Sequence, residues 1–236
     1  MAIGPGLNIA VDEKRFGVSE PLLKGLRLDI APGSVVALIG PSGIGKSTLL
    51  RMIAGIDSDF AGSITVDGTP AAMAPTPGFV FQDPRLLPWL TAMNNIRAVD
   101  PRCTPKQAAS ALQRVGLADA AGLYPHQLSG GMQRRVALAR AVAVNASLLL
   151  LDEPFVSLDR ALVAEMRTLF RAVVGDGQPT VLFVSHLADD AARLADRVIV
   201  LQQRPATIVA DIALPIAPRS RDEAVLADYR QMVDRH

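Results

Sequence analysis

The chain has 236 residues, enough for one large domain with a full core, and half of them are hydrophobic against 20% charged, which excludes a disordered or fibrous protein. Lys and Arg (24) nearly balance Asp and Glu (23), and a net charge of +1 creates no field that would by itself recruit nucleic acid or an anionic membrane. The lone cysteine, Cys103, excludes an internal disulfide framework and a four-cysteine zinc site, and suits a reducing compartment.

At the N-terminus Asp12, Glu13, Lys14 and Arg15 arrive too soon for the apolar region of a secretory signal, so none is expected. The alternation of Leu26, Leu28 and Ile30 before the turn Ala31-Pro32-Gly33 predicts antiparallel strands in the opening third. An apolar run over residues 35–39 then meets the glycine-rich GPSGIGKST and a helix-compatible stretch at 47–56, which reads as strand, glycine loop, helix. Short strands are expected at 64–66 and 79–81 around a loop at 70–77. Residues 84–115 turn helical, with Thr104 as cap and Pro105 as first helical residue, and predict an inserted helical subdomain. Gly130 and Gly131 open a long helix to 144. The apolar stretch 141–151 is broken by Asn145 and Ser147 and falls short of a membrane span of ~18 residues, whereas 148–151 suits a buried strand of a parallel sheet. Helix 160–173, strand 181–184, helix 189–195 and strand 197–201 complete an α/β alternation before a last strand at 207–212. In the tail, Ser220-x-x-Glu223 has the form of a capping box and Val225, Tyr229 and Met232 share a helical face, so a short docked helix is predicted there.

Chemistry concentrates in a few of these segments. Gly40-Pro41-Ser42-Gly43-Ile44-Gly45-Lys46-Ser47-Thr48 fits the phosphate-binding pattern G-x-x-x-x-G-K-[ST] between an apolar strand and a helix. Glycines there let backbone N–H groups close around phosphate oxygens, and the helix N-terminus adds partial positive charge. In such a loop Lys46 reaches the β- and γ-phosphates and the Ser47 hydroxyl ligates Mg²⁺. The run LLLLDE at 148–153 delivers two carboxylates at the end of a buried strand, where open α/β sheets bind ligands. Asp152 suits contact with Mg²⁺ and Glu153 suits a general base on an attacking water, the bland alternative being a helix cap. Leu128-Ser129-Gly130-Gly131-Met132-Gln133 opens the long helix, either as a second anion-binding N-terminus or as an ordinary cap.

LSGGMQRR set between GPSGIGKST and LLLLDEP resembles the nucleotide-binding subunits of ABC transporters, over residues 16–212. The resemblance implies an α/β fold of ABC ATPase type: a P-loop NTPase (RecA-like) core with an antiparallel β subdomain and an inserted α-helical subdomain. That arrangement would make residues 1–236 one domain, with the helical subdomain at about 84–145 and a tail at about 213–236. It further implies ATP and Mg²⁺ as ligands, ATP hydrolysis, and a head-to-tail homodimer with two ATP sites. In that dimer the signature of one subunit, with Ser129, Gly130, Gly131 and Gln133, caps the γ-phosphate held by the P-loop of the other. Gln82 falls where the family's Q-loop glutamine contacts Mg²⁺ and the attacking water. Ser157-Leu158-Asp159 matches the D-loop at the dimer interface, with a plain N-cap as the alternative, and His186 matches the histidine that senses the γ-phosphate. Phe16, thirty residues before Lys46, corresponds to the aromatic that stacks on adenine, unless it is a strand core residue. His126 and His236 receive no role, and Cys103 reads as an incidental residue of the helical subdomain.

FQDPRLLPWLTAMNNI at 81–96 and RPATIVADIALP at 204–215 resemble the ATPases of nitrate, sulfonate and taurine importers. That likeness implies a transmembrane permease and a solute-binding protein as partners, no nucleic acid, and a peripheral place on the cytoplasmic face of the membrane. Two departures stand out: Phe155-Val156-Ser157 where Phe-Gly-Ala is common, and Leu187 where Asp usually follows the histidine. A nonimporting ABC ATPase of the lipoprotein-release or cell-division type stays open as the other reading. The tail is shorter than the regulatory extension of sugar-importer ATPases, so control by a large appended domain is not expected. Leu86-Leu87-Pro88-Trp89-Leu90 is expected either to receive a helix of the membrane subunit or to fill the helical subdomain's core.

Overall fold

The computed structural model of the chain describes residues 3–143, 146–156, 160–175 and 178–236. Alternating apolar side chains of β1 (Leu7–Lys14) and β2 (Leu23–Ile30) point inward, and the strands pair antiparallel with Leu7 opposite Ile30. β3 (Val35–Ile39) is apolar and buried at every position, and its glycine loop leads straight into α1 (Lys46–Ile53). β4 (Ala61–Val66) and the two-residue β5 (Thr69–Pro70) return to the first sheet, in the order β2-β1-β4-β5.

The chain then passes through β6 (Gly78–Val80), the helices α2 (Ala92–Arg97), α3 (Pro105–Arg114) and α4 (Gly130–Ala143), and β7 (Leu148–Asp152). α5 (Arg160–Gly175), β8 (Thr180–Ser185), α6 (Ala188–Leu194), β9 (Arg197–Gln202), β10 (Thr207–Ala213) and α7 (Glu223–Asp234) follow. The second sheet has the order β10-β9-β3-β8-β7-β6, its strands parallel except for β10 on the edge. Both faces of this sheet are covered, which is why its central strands are apolar runs rather than alternating ones. Val36, Leu38, Leu150 and Val184 pack with α1 and the antiparallel sheet, while Ala37, Ile39, Leu151 and Phe183 share a core with the helices.

Two expectations need correction. Residues 84–91 are not helical; helix begins only at Ala92. Pro84 and Pro88 disfavour helix in that stretch, and the fully buried Asn95 takes over the backbone groups that a helix would have satisfied. Its Oδ1 accepts from Leu87 N at 2.7 Å and its Nδ2 donates to the carbonyls of Leu87, Leu90 and Thr91 at 3.1, 2.9 and 3.1 Å. In the tail the cap is Asp222, whose side chain accepts from Val225 N at 2.9 Å, and not Ser220, which lies in a short 3₁₀ turn. Between them Arg221 is buried and its guanidinium donates to the carbonyls of Ala192, Ala195, Leu214 and Ile216, so the chain is held extended until Asp222. The inward face of α7 is consequently Leu226, Tyr229 and Val233, with Met232 left 42% exposed. Thr104 does cap α3, in a reciprocal capping box with Gln107 and with Pro105 in the first turn. Among the described residues no helix is long and apolar enough to cross a membrane.

Candidate active site

Parallel register gathers the motifs. Ile39 pairs with Ser185, Asp152 with Val184 and Val80 with Leu151. Gly40, Glu153, His186 and Gln82 therefore leave four adjacent strands at one edge of the sheet, the edge at which open α/β sheets bind ligands.

Gly40, Gly43 and Gly45 hold φ of 155°, 75° and 110°, values that side-chain-bearing residues rarely adopt. A Cβ on Gly40 would overlap the Leu201 carbonyl oxygen. Pro41, Ser42 and Gly43 are exposed at the tip of the loop, whereas Lys46 and Thr48 are buried at its base. The Lys46 ammonium donates to the carbonyls of Gly40 and Pro41 at 2.7 and 2.9 Å. Burial pulls its pKa below the ordinary lysine value, against the opposing charges of Glu153 and Asp152. The Ser47 hydroxyl donates to Asp152 Oδ1 at 2.7 Å. Asp152 is pushed up by burial and further by the charge of Glu153, with the Ser47 hydrogen bond, Arg51 and Lys46 opposing.

A hydroxyl and a carboxylate in contact beside a phosphate loop suit Mg²⁺, a hard cation that takes few protein oxygens and completes its shell with phosphates and water. Among the described residues no group of three His, Cys, Asp or Glu could form an all-protein metal cage. Glu153 adopts φ +47°, the left-handed region that a β-carbon disfavours, and its Oε2 lies 3.9 Å from His186 Nδ1.

The remaining candidates sit on other elements. Gln82 is exposed just past β6, and its carbonyl accepts from Arg134 Nη1 at 3.1 Å. Arg140 donates to the carbonyls of Arg85 and Pro84 at 2.9 and 2.8 Å, so two arginines of α4 grip the loop that carries Gln82. Of the two, Arg140 shows in the sequence as a charge inside the apolar stretch Ala137-Leu138-Ala139-Arg140-Ala141-Val142, and Arg134 carries no such signal. Ser129 Oγ accepts from Met132 N at 3.2 Å, and Ser129 and Gly130 are exposed at the start of α4. Gly131 packs closely on α5, since a Cβ there would lie 2.5 Å from Leu162 Cδ2. The amide of Gln133 turns back to the Pro125 and Leu128 carbonyls at 2.9 and 3.2 Å, bracing the loop ahead of the signature. Asp159 and the rest of 157–159 lie outside the described residues. Phe16 is no strand core residue: it follows β1 in a bend, 53% exposed, with the buried Lys14 ammonium 4.8 Å from its ring centroid.

Residues 23–156, more than half of the chain, match the family model described as ABC transporter. The chain belongs to the ABC transporter family. Its enzyme class, ATPase, goes with that membership. The cassette is 42% identical over 238 residues to the aliphatic sulfonates import ATP-binding protein SsuB 1 of Xanthomonas axonopodis pv. citri (strain 306), a match spanning 96% of this chain and 94% of that protein. With the protein of the same name from Pseudomonas aeruginosa (strain UCBPP-PA14) it shares 43% over 234 residues, 95% and 93% of the two chains. Among solved structures, the dimeric structure of a post-hydrolysis state of the ATP-binding cassette MJ0796 bound to ADP and Pi matches with a TM-score of 0.78 at 29% identity, over 90% of this cassette and 99% of that chain.

Proposed function

We propose that the cassette binds Mg·ATP, hydrolyses it to ADP and phosphate, and thereby energises a membrane importer for a small anion of the sulfonate type. The observation that carries the reading is the meeting of Lys46, Ser47, Asp152 and Glu153 at one sheet edge, with Ser47 and Asp152 in direct contact. Phe16, 53% exposed, offers its ring to the base, and the loop from Gly40 to Thr48, Pro41 apart, supplies backbone N–H groups and the Lys46 ammonium to the phosphates. Ser47, Asp152 and Gln82 would hold Mg²⁺, which when bound neutralises charge on the β- and γ-phosphates. Glu153 takes the proton of the attacking water, and His186 beside it presents an imidazole to the γ-phosphate.

Ser129, Gly130 and Gly131 head α4 with Ser129 and Gly130 exposed, and as in the ABC transporter family they serve the site of a second copy in a head-to-tail homodimer, with Asp159 at the interface. Gln133 contributes by bracing the signature loop. The import direction and the sulfonate class rest on the names of the relatives at 42% and 43% identity. They favour import over a lipoprotein-release or cell-division task. A permease and a solute-binding protein complete the system, with the cassette peripheral on the cytoplasmic face. Trp89 is 69% exposed, two residues after Leu87, which with Phe81, Arg85, Val99 and Arg102 among others lines a groove of about 1110 Å³, and this surface receives a helix of the permease.

Glu153→Gln tests the chemistry. The variant keeps the shape of the side chain and loses the base, so kcat is expected to fall by roughly 10² to 10⁴ while ATP binding persists. Size-exclusion chromatography with Mg·ATP should then show a trapped dimer. Turnover at the parental rate would remove Glu153 from the reaction.

A further inference from the structure

One buried carboxylate has no place in the roles above. Asp190 is 1% exposed in the first turn of α6, four residues after His186. It does not cap its helix: the N-cap position is Leu187, which offers no side-chain bond. Instead Asp190 Oδ2 accepts from Ser185 Oγ at 2.7 Å. Ser185 Oγ in turn accepts from Leu187 N at 3.1 Å, and Asp190 N donates to Leu187 O at 3.2 Å. Ser185 precedes His186 and Leu187 follows it, so these bonds clamp the backbone on both sides of the histidine. The other oxygen, Asp190 Oδ1, accepts from Arg167 Nε at 3.0 Å and is also bonded to Arg167 Nη2. Arg167 belongs to α5, the helix that follows residues 157–159, and it also meets Asp189 at 2.8 Å.

The histidine side chain is 44% exposed and stands 3.9 Å from Glu153, beyond hydrogen-bond reach. An imidazole so placed takes its direction from its own backbone, and that backbone is held by the Ser185–Asp190 pair. A carboxylate buried to this degree is costly unless paired, and the Arg167 guanidinium offsets that cost.

We propose that Asp190 is a positioning residue for hydrolysis, orienting His186 through Ser185 and tying the histidine turn to α5 through Arg167. The proposal rests on the reading that His186 acts at the γ-phosphate. Asp190 touches no substrate and acts only by fixing where the imidazole can go.

The test is a double-mutant cycle on the full chain, with ATPase rates measured at protein concentrations where the rate per chain has levelled off. Ser185→Ala should lower kcat by about tenfold to a hundredfold, the scale of a misplaced catalytic group, with KM for ATP moving less than about twofold. Ser185→Thr, which keeps the hydroxyl, should restore most of the rate. In a His186→Ala background the same Ser185→Ala change should cost nothing further, because the group it orients is gone. Asp190→Asn, nearly isosteric, should repeat that pattern and covers the case in which one variant folds poorly. Parental kcat in both Ser185→Ala and Asp190→Asn, or a loss that persists at full size without His186, overturns the proposal. If His186→Ala itself turns over at the parental rate, the reading of His186 fails and takes the proposal with it. If only His186→Ala is impaired, the positioning role alone falls.

Discussion

Lys46 and Asp152 stand in opposite electrostatic situations for one reason, burial, and both carry a penalty that a bound nucleotide and its cation would relieve. Lysine loses charge stabilisation when desolvated, so its pKa falls below 10.5; a carboxylate loses it too, so that of Asp152 rises above 3.8. The ammonium is the form that pairs with phosphate. ATP affinity should therefore weaken as pH rises through the lowered Lys46 pKa, at a pH where an ordinary lysine is still charged. Pairing with phosphate pulls the pKa back up, so calorimetry in buffers of different ionisation enthalpy should record proton uptake on ATP binding in the alkaline range. Affinity independent of pH up to 10.5 would contradict this account. Folding has the opposite sign: between the lowered pKa and 10.5 the unfolded chain binds more protons at this site, so the contribution of Lys46 to stability rises with pH in that window. Glu153 shows another kind of local cost. Its φ of +47° is disfavoured for any residue with a β-carbon, and the turn it makes directs the chain out of β7 beside His186.

At the scale of elements, short strands were legible where apolar runs met glycine or proline, and helix α3 announced its own start through Thr104, Pro105 and Gln107. Pro84 and Pro88 were visible signals against helix at 84–91; what the sequence did not show was the substitute, Asn95 closing four hydrogen bonds to backbone groups upstream of it. The position of β6 depends on contact rather than propensity. Gly78 lies so near α4 that a Cβ would overlap the Ala141 carbonyl and stand 2.7 Å from Leu149 Cδ2. Gly78→Ala should destabilise the cassette by about 1 to 3 kcal/mol, as overpacking does. Thermal unfolding should register that as a lower midpoint, with slower ATP turnover as β6 and the following Gln82 shift. Gly122→Ala is the control, since nothing lies within 4 Å of its added Cβ, and it should change stability by less than about 0.5 kcal/mol. Equal midpoints for the two variants would mean that β6 tolerates displacement from α4.

For the whole molecule the decisive question is where the second half of each nucleotide site comes from. Lys46 lies on α1 and Ser129 at the head of α4, and each is surrounded by its own local bonds. If two copies share their sites, a mixture of Ser129→Arg and Lys46→Ala chains contains dimers with one intact site built from the unmutated halves. Some ATPase activity should return on mixing two inactive preparations. Mixed dimers that remain inactive would argue against the head-to-tail arrangement. The groove proposed to receive a permease helix makes a separate demand: Leu87→Gln should leave nucleotide binding intact while uncoupling ATPase activity from transport in the assembled importer, and Trp89 emission should shift when the permease binds. Normal transport with this variant would place the contact elsewhere.

Order and spacing along the chain determined which residue types stand at strand ends and helix starts, and so the α/β class, the phosphate loop, the acidic pair and the signature helix. Those signals are local; they depend on hydrophobic period and on glycine at positions where a side chain is disfavoured. The tertiary structure alone decided the partners. It set the strand order β10-β9-β3-β8-β7-β6, the grip of Arg134 and Arg140 on the loop beyond Gln82, and the burial of Arg221 that moved the cap of α7 from Ser220 to Asp222. Each of these joins residues far apart in sequence, through a hydrogen bond or a register that leaves no periodic trace in either segment. A buried arginine or aspartate shows in the sequence only as a charge among apolar neighbours, and the carbonyl or hydroxyl that satisfies it appears only when the chain has folded.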